Sequence, residues 1–478
     1  MEDTKDLNRA VSNLVENVHM WEQRLADAGS EPEAFREAVR EMRSALNTVG
    51  RVGFQELAQA CETSADSVLC GGTVYRFKQD VPKAWLTYWG TVMMPRRLFQ
   101  PDRGGPSWVP LDERCGMVDR FMMPELERVT SFLGARLVPA EVEESLSEVL
   151  PEGPSRTAIQ HVLAKVGQCA EDHAAEVEQA IEATAPLDAD GDTLVVSWDG
   201  VTVPLREPGA KRGRPAERPG VSESDSDTTP TAWKEAGVGL VASYLTPLHP
   251  EDPASEGPER VDVRYAARMP EAKMETLVDG LVAQTERALQ AGFFQHRVLL
   301  ADGKRQIWAT VDEYPVFDDF TRVLDFYHAT EHLSKAAEHL FGKGSQEAKR
   351  WFRKRRHKLR HEPGAVGHLV HSISYHRRKL RKGTLRYENV SKELRFFRNN
   401  ADKMNYDTYS AAGLPISSGP VEAAAKTIVA HRLKRSGMRW LRPKAQQILN
   451  LRVQVQSKRW DAFWKWYLHH TDQLAKAA

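Results

Sequence analysis

Apolar residues at three- and four-residue steps open the chain. Leu7, Val11, Leu14, Val15, Val18 and Trp21 form one helical stripe. The first ~48 residues therefore read as helix, with a face for packing or self-association. Between 72 and 100 the pattern changes to β-rich runs, with Val74, Phe77, Trp85, Thr87, Trp89, Val92 and Met94 broken by Pro82 and Pro95. Helical spacing returns from about Pro110 to Thr184 and closes at a turn over 186–191. Residues 193–198 are a β-branched strand that runs into Asp199-Gly200, read as a tight turn, and then a second strand over 201–205. The Pro-, Gly-, Ser- and charge-rich stretch 206–232 reads as a disordered surface loop. Strands follow at 236–245 and 261–267, then a helix with Met274, Leu277, Val278, Leu281 and Leu289 on one face. A strand over 297–301 delivers Asp302-Gly303, and after a short helix a strand over 321–324 delivers Asp325. Helical patterns fill 326–405. A further helix begins at Pro420, behind a capping hydroxyl from Ser417 or Ser418.

A chain of 478 residues exceeds one ordinary core, so two to four domains are expected. With 41% hydrophobic and 28% charged residues the composition is that of a globular protein. Residues 1–9 are polar and acidic and lack the apolar core of a signal peptide. No run approaches the ~18 apolar residues that cross a bilayer. Cys61, Cys70, Cys115 and Cys169 are too scattered for a disulfide framework or a zinc site, which suits reduced thiols. A cytoplasmic protein without membrane partners is expected. The net charge of zero hides an asymmetry. Residues 341–460 hold 29 Lys and Arg against 7 Asp and Glu, and the remainder carries the compensating excess of acid. A basic block of that size points to a polyanion, most commonly nucleic acid.

Carboxylates at strand ends add chemistry to that partner. Phosphodiester cleavage needs an activated nucleophilic oxygen and a stabilised leaving oxygen, and two divalent ions ~4 Å apart serve both. Mg²⁺ and Mn²⁺ take hard oxygen ligands, which separate rigid elements can supply as carboxylates. Asp199 and Asp302 each follow an apolar strand and precede a glycine. Asp-Gly is also the commonest turn dipeptide, so either pair alone has an ordinary structural explanation. Glu422 falls in the opening turn of a helix, where the helix dipole favours negative charge and simple capping accounts for it equally well.

The strings around these residues are more specific. Gly413-Leu-Pro-Ile-Ser-Ser-Gly-Pro-Val-Glu422-Ala-Ala-Ala-Lys426, followed by His431-Arg-Leu-Lys-Arg-Ser-Gly-Met-Arg-Trp440, resembles the carboxy-terminal signature of ISKra-type insertion-sequence transposases, bacterial relatives of the Mutator superfamily. Arg459-Trp460-Asp461-Ala462-Phe463-Trp464 matches the ending of that family. Val196-Ser-Trp-Asp199-Gly-Val-Thr-Val-Pro204 resembles its first catalytic block, and Leu299-Leu-Ala-Asp302-Gly303 with Trp308 its second. Leu324-Asp325-Phe-Tyr-His328-Ala-Thr-Glu-His332-Leu333 resembles the block that follows. The likeness runs from about 190 to 465. Ahead of it only Val109-Pro-Leu-Asp-Glu113 is loosely similar, and cysteines that many relatives carry near that point are absent.

The resemblance implies an RNase H-like DDE domain, and the order of strands and helices above is the one such a domain requires. The expected fold class is thus α/β: an RNase H-like catalytic domain, a mixed sheet with flanking helices, interrupted by an all-α insertion. A mostly helical amino-terminal region with a small β unit precedes it. The expected division is 1–190 for DNA-end recognition or oligomerisation, 191–330 for the first part of the catalytic core, 331–405 for a basic helical insertion and 406–478 for its completion. The triad implied is Asp199, Asp302 and Glu422, holding two Mg²⁺ or Mn²⁺ ions. Asp325 also follows a strand. Asp302 is favoured over it because of the longer apolar strand and the family block, leaving Asp325 and His328 to support the ligands or touch DNA, or simply to cap a helix.

Basic side chains complete the reading. Arg353, Lys354, Arg355 and Arg356 crowd turns of one helix with few carboxylates between them, a pattern that neutralises phosphates without reading sequence. Arg432, Lys434, Arg435 and Arg439 follow the Glu422 helix as clamps on a cut strand. Trp440 is placed to stack on a base or, alternatively, to be buried beside Leu441. Residues 211–215, Lys-Arg-Gly-Arg-Pro, fit a minor-groove hook or a plain charged linker. The expected function is DNA transposition, with element ends and target DNA as partners and a homodimer or larger assembly on DNA. A non-catalytic DNA-binding protein and a nuclease without strand transfer are the alternatives.

Overall fold

Helical spacing in the first segment produces two helices, Thr4–Ala28 and Pro32–Gln59. Their apolar stripe is only partly used. Trp21 is buried and its Nε1 donates to Glu41 Oε2 at 2.6 Å, whereas Val11 and Val15 stay exposed. Five strands follow: β1 (Ser67–Cys70), β2 (Thr73–Asp80), β3 (Lys83–Thr87), β4 (Gly90–Met94) and β5 (Arg97–Pro101). Pro82 and Pro95 fall between strands, as residues without an N–H to give to a ladder should. β1, β2 and β5 form one antiparallel sheet, and β3 with β4 a hairpin. Helices Pro124–Arg136, Pro139–Val149 and Arg156–Asp172 follow. In the computed structural model, which describes residues 4–28, 31–102, 104–206, 233–249 and 257–477, the chain forms two compact units. One is Met1–His173 with Phe463–Ala478, the other Ala174–Ala462. The loop expected over 206–232, with its segment 211–215, lies outside the described residues apart from Arg206.

The second unit is built on a five-stranded mixed sheet, ordered β10-β9-β6-β7-β8. Its strands are β6 (Thr193–Pro204), β7 (Trp233–Leu245), β8 (Glu259–Arg268), β9 (His296–Ala301) and β10 (Thr321–Leu324). β7 pairs antiparallel with both β6 and β8, and β9 and β10 run parallel to β6. A parallel neighbour requires a crossover, and the helices Glu275–Ala291 and Arg305–Val311 supply it before β9 and β10. Residues 236–244 of β7 are all buried, so both faces of the sheet are covered. Four helices, Phe326–Phe341, Gln346–His361, Ala365–Arg378 and Leu385–Asn399, send Leu333, Leu359, Leu369, Ile373 and Phe397 into the same core as Val196, Leu240 and Leu300.

One expectation fails in this sheet. The turn predicted at Asp199-Gly200 does not form, and β6 runs unbroken from Thr193 to Pro204. Its ladder with β7 continues through Asp199↔Val238 and Gly200↔Gly237 to Pro204↔Trp233. Twelve consecutive pairings outweigh the local turn preference of one dipeptide. The opposite edge of β6 is different. β9 pairs with it only from Thr193 to Val196, so the carboxyl half of β6 overhangs its neighbour until Leu205 meets Trp440. Asp199 sits on that overhang, and Asp302 comes directly after β9.

Candidate active site

In open sheets with parallel strands, ligands gather outside the carboxyl ends of the strands. There, Asp199, Asp302, Asp325, His328, Ser418 and Glu422 line one small cavity of about 70 Å³. The three carboxylates singled out from sequence therefore share a space, although 103 positions separate the first two and another 120 the third. Parallel pairing of β6 and β9 makes Asp199 and Asp302 emerge in the same direction. Asp199 Oδ1 accepts from the Gly200 N–H at 2.7 Å. Asp302 Oδ1 accepts from the Lys304 N–H at 2.9 Å, which turns the chain into the helix Arg305–Val311. Glu422 is exposed, in the first turn of the helix Gly419–Ala424.

Asp325 is held differently. It is 1% exposed and caps the helix Phe326–Phe341, its Oδ1 accepting from the Tyr327 N–H at 2.7 Å. Its Oδ2 accepts from the Ser418 hydroxyl. Of the two hydroxyls offered as caps for the next helix, that of Ser417 accepts from the Gly419 N–H at 3.2 Å, whereas no side-chain cap bond forms at Ser418. Its Oγ lies instead between Asp325 and Glu422, 3.2 Å from Glu422 Oε1. A hydroxyl has one proton, so it can donate to one of these carboxylates at a time. Both aspartates line the cavity and both have their oxygens engaged, but Asp325 is 1% exposed whereas the Asp302 side chain is 19% exposed.

Two glycines make room for this geometry. A Cβ on Gly200 would stand 2.1 Å from the carboxyl carbon of Glu235, so the absence of a side chain lets Glu235 lie over the strand. A Cβ on Gly303 would meet the Phe396 ring at 2.3 Å. Phe396 in turn stacks on His332 at 3.6 Å, and His332 Nδ1 is 2.6 Å from Glu393 Oε2. His328 packs edge-on against His332, so the cavity wall is braced by aromatic contacts and by the His332–Glu393 hydrogen bond among the helices 326–399.

A residue not singled out from sequence reaches into this group. Lys304 Nζ lies 3.5 Å from Asp199 Oδ1, 3.5 Å from Asp302 Oδ2 and 3.2 Å from Glu235 Oε1. Burial works to lower the pKa of this ammonium, but the nearby carboxylates of Asp302, Glu235 and Asp199 outweigh it and hold the group above the usual lysine range. Lys304 follows Asp302 by two positions, and Glu235 directly precedes the strand run 236–245. Those are weak signals, and only the pairing of β7 on one side of β6 and of β9 on the other brings the two together.

The basic residues divide into exposed and buried sets. Arg353, Lys354 and Arg356 are exposed on the helix Gln346–His361, and Lys434 and Arg439 are exposed after the Glu422 helix. Arg355 is half-buried and donates to Ser372 Oγ at 3.0 Å. Arg435 is half-buried too, its Nε donating to the His431 carbonyl at 3.2 Å. Arg432 is corrected outright as a surface clamp. It is 1% exposed, with its guanidinium 5.2 Å from the centre of the Trp440 ring. Trp440 is pinned as well: its Nε1 donates to the Leu433 carbonyl at 3.0 Å, and its backbone exchanges hydrogen bonds with Pro204 and Arg206 at the end of β6. It packs against the core, the structural alternative for this residue. Among the described residues no helix is long and apolar enough to cross a membrane.

No protein-family model matches the chain, and comparison with curated proteins finds no match. Among solved structures, the chain is similar to a Drosophila P element transposase in its strand transfer complex. The two are 11% identical over 73% of this chain and 80% of that one, with a TM-score of 0.25. A likeness at that level identifies neither fold nor function.

Proposed function

We propose that the unit Ala174–Ala462 is an RNase H-like phosphoryl-transfer domain and that the chain is a DNA transposase of the ISKra type. The observation that carries this reading is the convergence of Asp199, Asp302 and Glu422 on one cavity. The sheet order supports it, with β7 alone running against the other four strands. The donor set suits Mg²⁺ or Mn²⁺, two per site, since it consists of hard carboxylate oxygens. A cation, the Lys304 ammonium, already rests against two of them. Divalent ions held there would make a water or a 3′-hydroxyl a better nucleophile and stabilise the departing oxygen. Asp199 contributes its carboxylate from β6 and Asp302 from the turn directly after β9. Ser418 and Asp325 position Glu422 through the hydroxyl between them. The exposed cations Arg353, Lys354, Arg356, Lys434 and Arg439 hold phosphates.

In solution the protein, mixed with DNA bearing the ends of its element and with supercoiled plasmid, should cleave the ends and join them to the plasmid in Mg²⁺ or Mn²⁺. A chelator should stop both steps. Binding without cleavage would replace this reading with a non-catalytic DNA-binding role, and cleavage without joining would make the protein a nuclease.

The basic helix gives a second expected result. Changing Arg353, Lys354 and Arg356 to Gln should weaken binding to duplex DNA of any sequence. It should also flatten the log–log salt dependence by about 0.9 for each phosphate no longer neutralised. Fluorescence anisotropy between low and moderate salt measures the slope, and an unchanged slope would remove this face from the DNA path.

A further inference from the structure

Two aspartates presented side by side, 29% and 19% exposed in their side chains, repel each other unless a cation lies between them. In the folded chain that cation is the Lys304 ammonium, 3.5 Å from each. A third carboxylate, Glu235, holds the same ammonium at 3.2 Å from the more exposed side and is not part of the cavity lining. The glycine at 200 is what lets Glu235 lie there. We propose that Lys304 is a built-in counter-cation of the carboxylate site, seated between Asp199 and Asp302 until a divalent ion arrives and then drawn back onto Glu235.

The inference rests on the metal-site reading above and deepens it. A divalent ion and the ammonium compete for the same oxygens, so each ion bound must displace Lys304 from Asp199 and Asp302. Glu235 keeps the displaced charge paired beside the site, which limits the loss on exchange. Lys304 is thereby a positioning residue: it preserves the spacing of the aspartates before metal binds and sets how much ion is needed to enter. Removing Lys304 should strengthen ion binding, the reverse of what loss of a ligand or of general structure does. Removing Glu235 should weaken it, because the ammonium then has no second carboxylate to withdraw to.

Calorimetric titration with Mn²⁺, on the full-length protein without DNA, separates these effects. Lys304→Met should bind Mn²⁺ about tenfold more tightly than the unmodified protein. Glu235→Gln should bind it several-fold more weakly. Gly200→Ala, which evicts the Glu235 side chain without touching its charge, should behave like Glu235→Gln. Asp302→Asn should lose the bound ion in either background. Equal or weaker binding by Lys304→Met, with Asp302→Asn still losing the ion, overturns the role of Lys304 and leaves the metal site standing. If neither the unmodified protein nor Lys304→Met takes up Mn²⁺, or if Asp302→Asn keeps it, the metal site and the inference fall together.

Discussion

Replacing Asp302 with Asn should reduce strand cleavage by roughly 10³-fold or more, while DNA binding and melting temperature stay close to those of the unmodified protein. The substitution keeps the size of the side chain and an oxygen able to accept the Lys304 N–H, so the turn into the helix Arg305–Val311 is retained. What it removes is a negative charge facing the cavity. Asp199→Asn and Glu422→Gln should behave alike, because each removes a negative charge from the lining of the same cavity while keeping the size of the side chain. Effects this large from three residues so far apart in sequence should not add, since removing any one already disables the unit. Asp325→Asn is the informative contrast. Its amide oxygen can still accept the Tyr327 N–H, but it changes the partner of Ser418, so a smaller loss of activity is expected. Cleavage assays with end-labelled DNA decide the matter. Near-normal cleavage by Asp302→Asn together with its loss in Asp325→Asn would exchange the roles of the two aspartates.

Much of the sheet was legible because buried strands and one-faced helices write their period into the sequence. The β-branched run before Asp199, the apolar run before Asp302 and the stripe Leu277, Val278, Leu281 all appear as regular elements. Local preferences misled where a long-range contact was stronger. Asp199-Gly200 has the composition of a turn, but β7 pairs along the whole of β6. Ser418 has the composition of a cap, but Asp325 and Glu422 take its hydroxyl. Arg432 has the setting of a phosphate clamp within a basic string, yet it faces inward beneath Trp440. Lys304 and Glu235 carried no usable signal, because their meeting depends on strand register and on the missing side chain of Gly200. Periodicity also cannot reveal the π-helical turn from Ala425 to Ala430, since buried positions such as Val421, Ala424, Ala425 and Ile428 fit an unbroken α-helix equally well.

That π turn is the basis of the second large effect. Arg452→Met should destabilise the unit Ala174–Ala462 by roughly 2–4 kcal/mol and lower cleavage as well. In a π turn the hydrogen bonds reach one residue further than in an α-helix, so carbonyls lose their usual alignment and turns of this kind are rare without outside support. Arg452, 4% exposed on the helix Arg442–Gln456, provides that support. Its Nε donates to the Ile428 carbonyl at 2.6 Å and its Nη2 to the Thr427 carbonyl. Hydrogen bonds from a charged donor contribute about 1.5–3 kcal/mol each, and their loss leaves one buried and one part-buried acceptor without that donor. Met fills a similar volume, so packing alone should not account for the change. Should the turn relax to α-helical bonding, the register on one side of it moves by a residue, about 100° around the helix axis. Glu422 stands three residues before the turn, and the core residues Val429 and Leu433 anchor its other end. Val421 and Ala424 hold the first turn in the same core, so the relaxation costs packing there too, and any rotation of that turn carries the Glu422 carboxylate away from Asp199 and Asp302. Arg452→Lys, able to reach one carbonyl but not span two, should fall between Met and the unmodified protein in both stability and cleavage. Urea denaturation and the cleavage assay read the two consequences separately. A stability for Arg452→Met equal to that of the unmodified protein would mean that the π turn holds itself and that Arg452 does not support it.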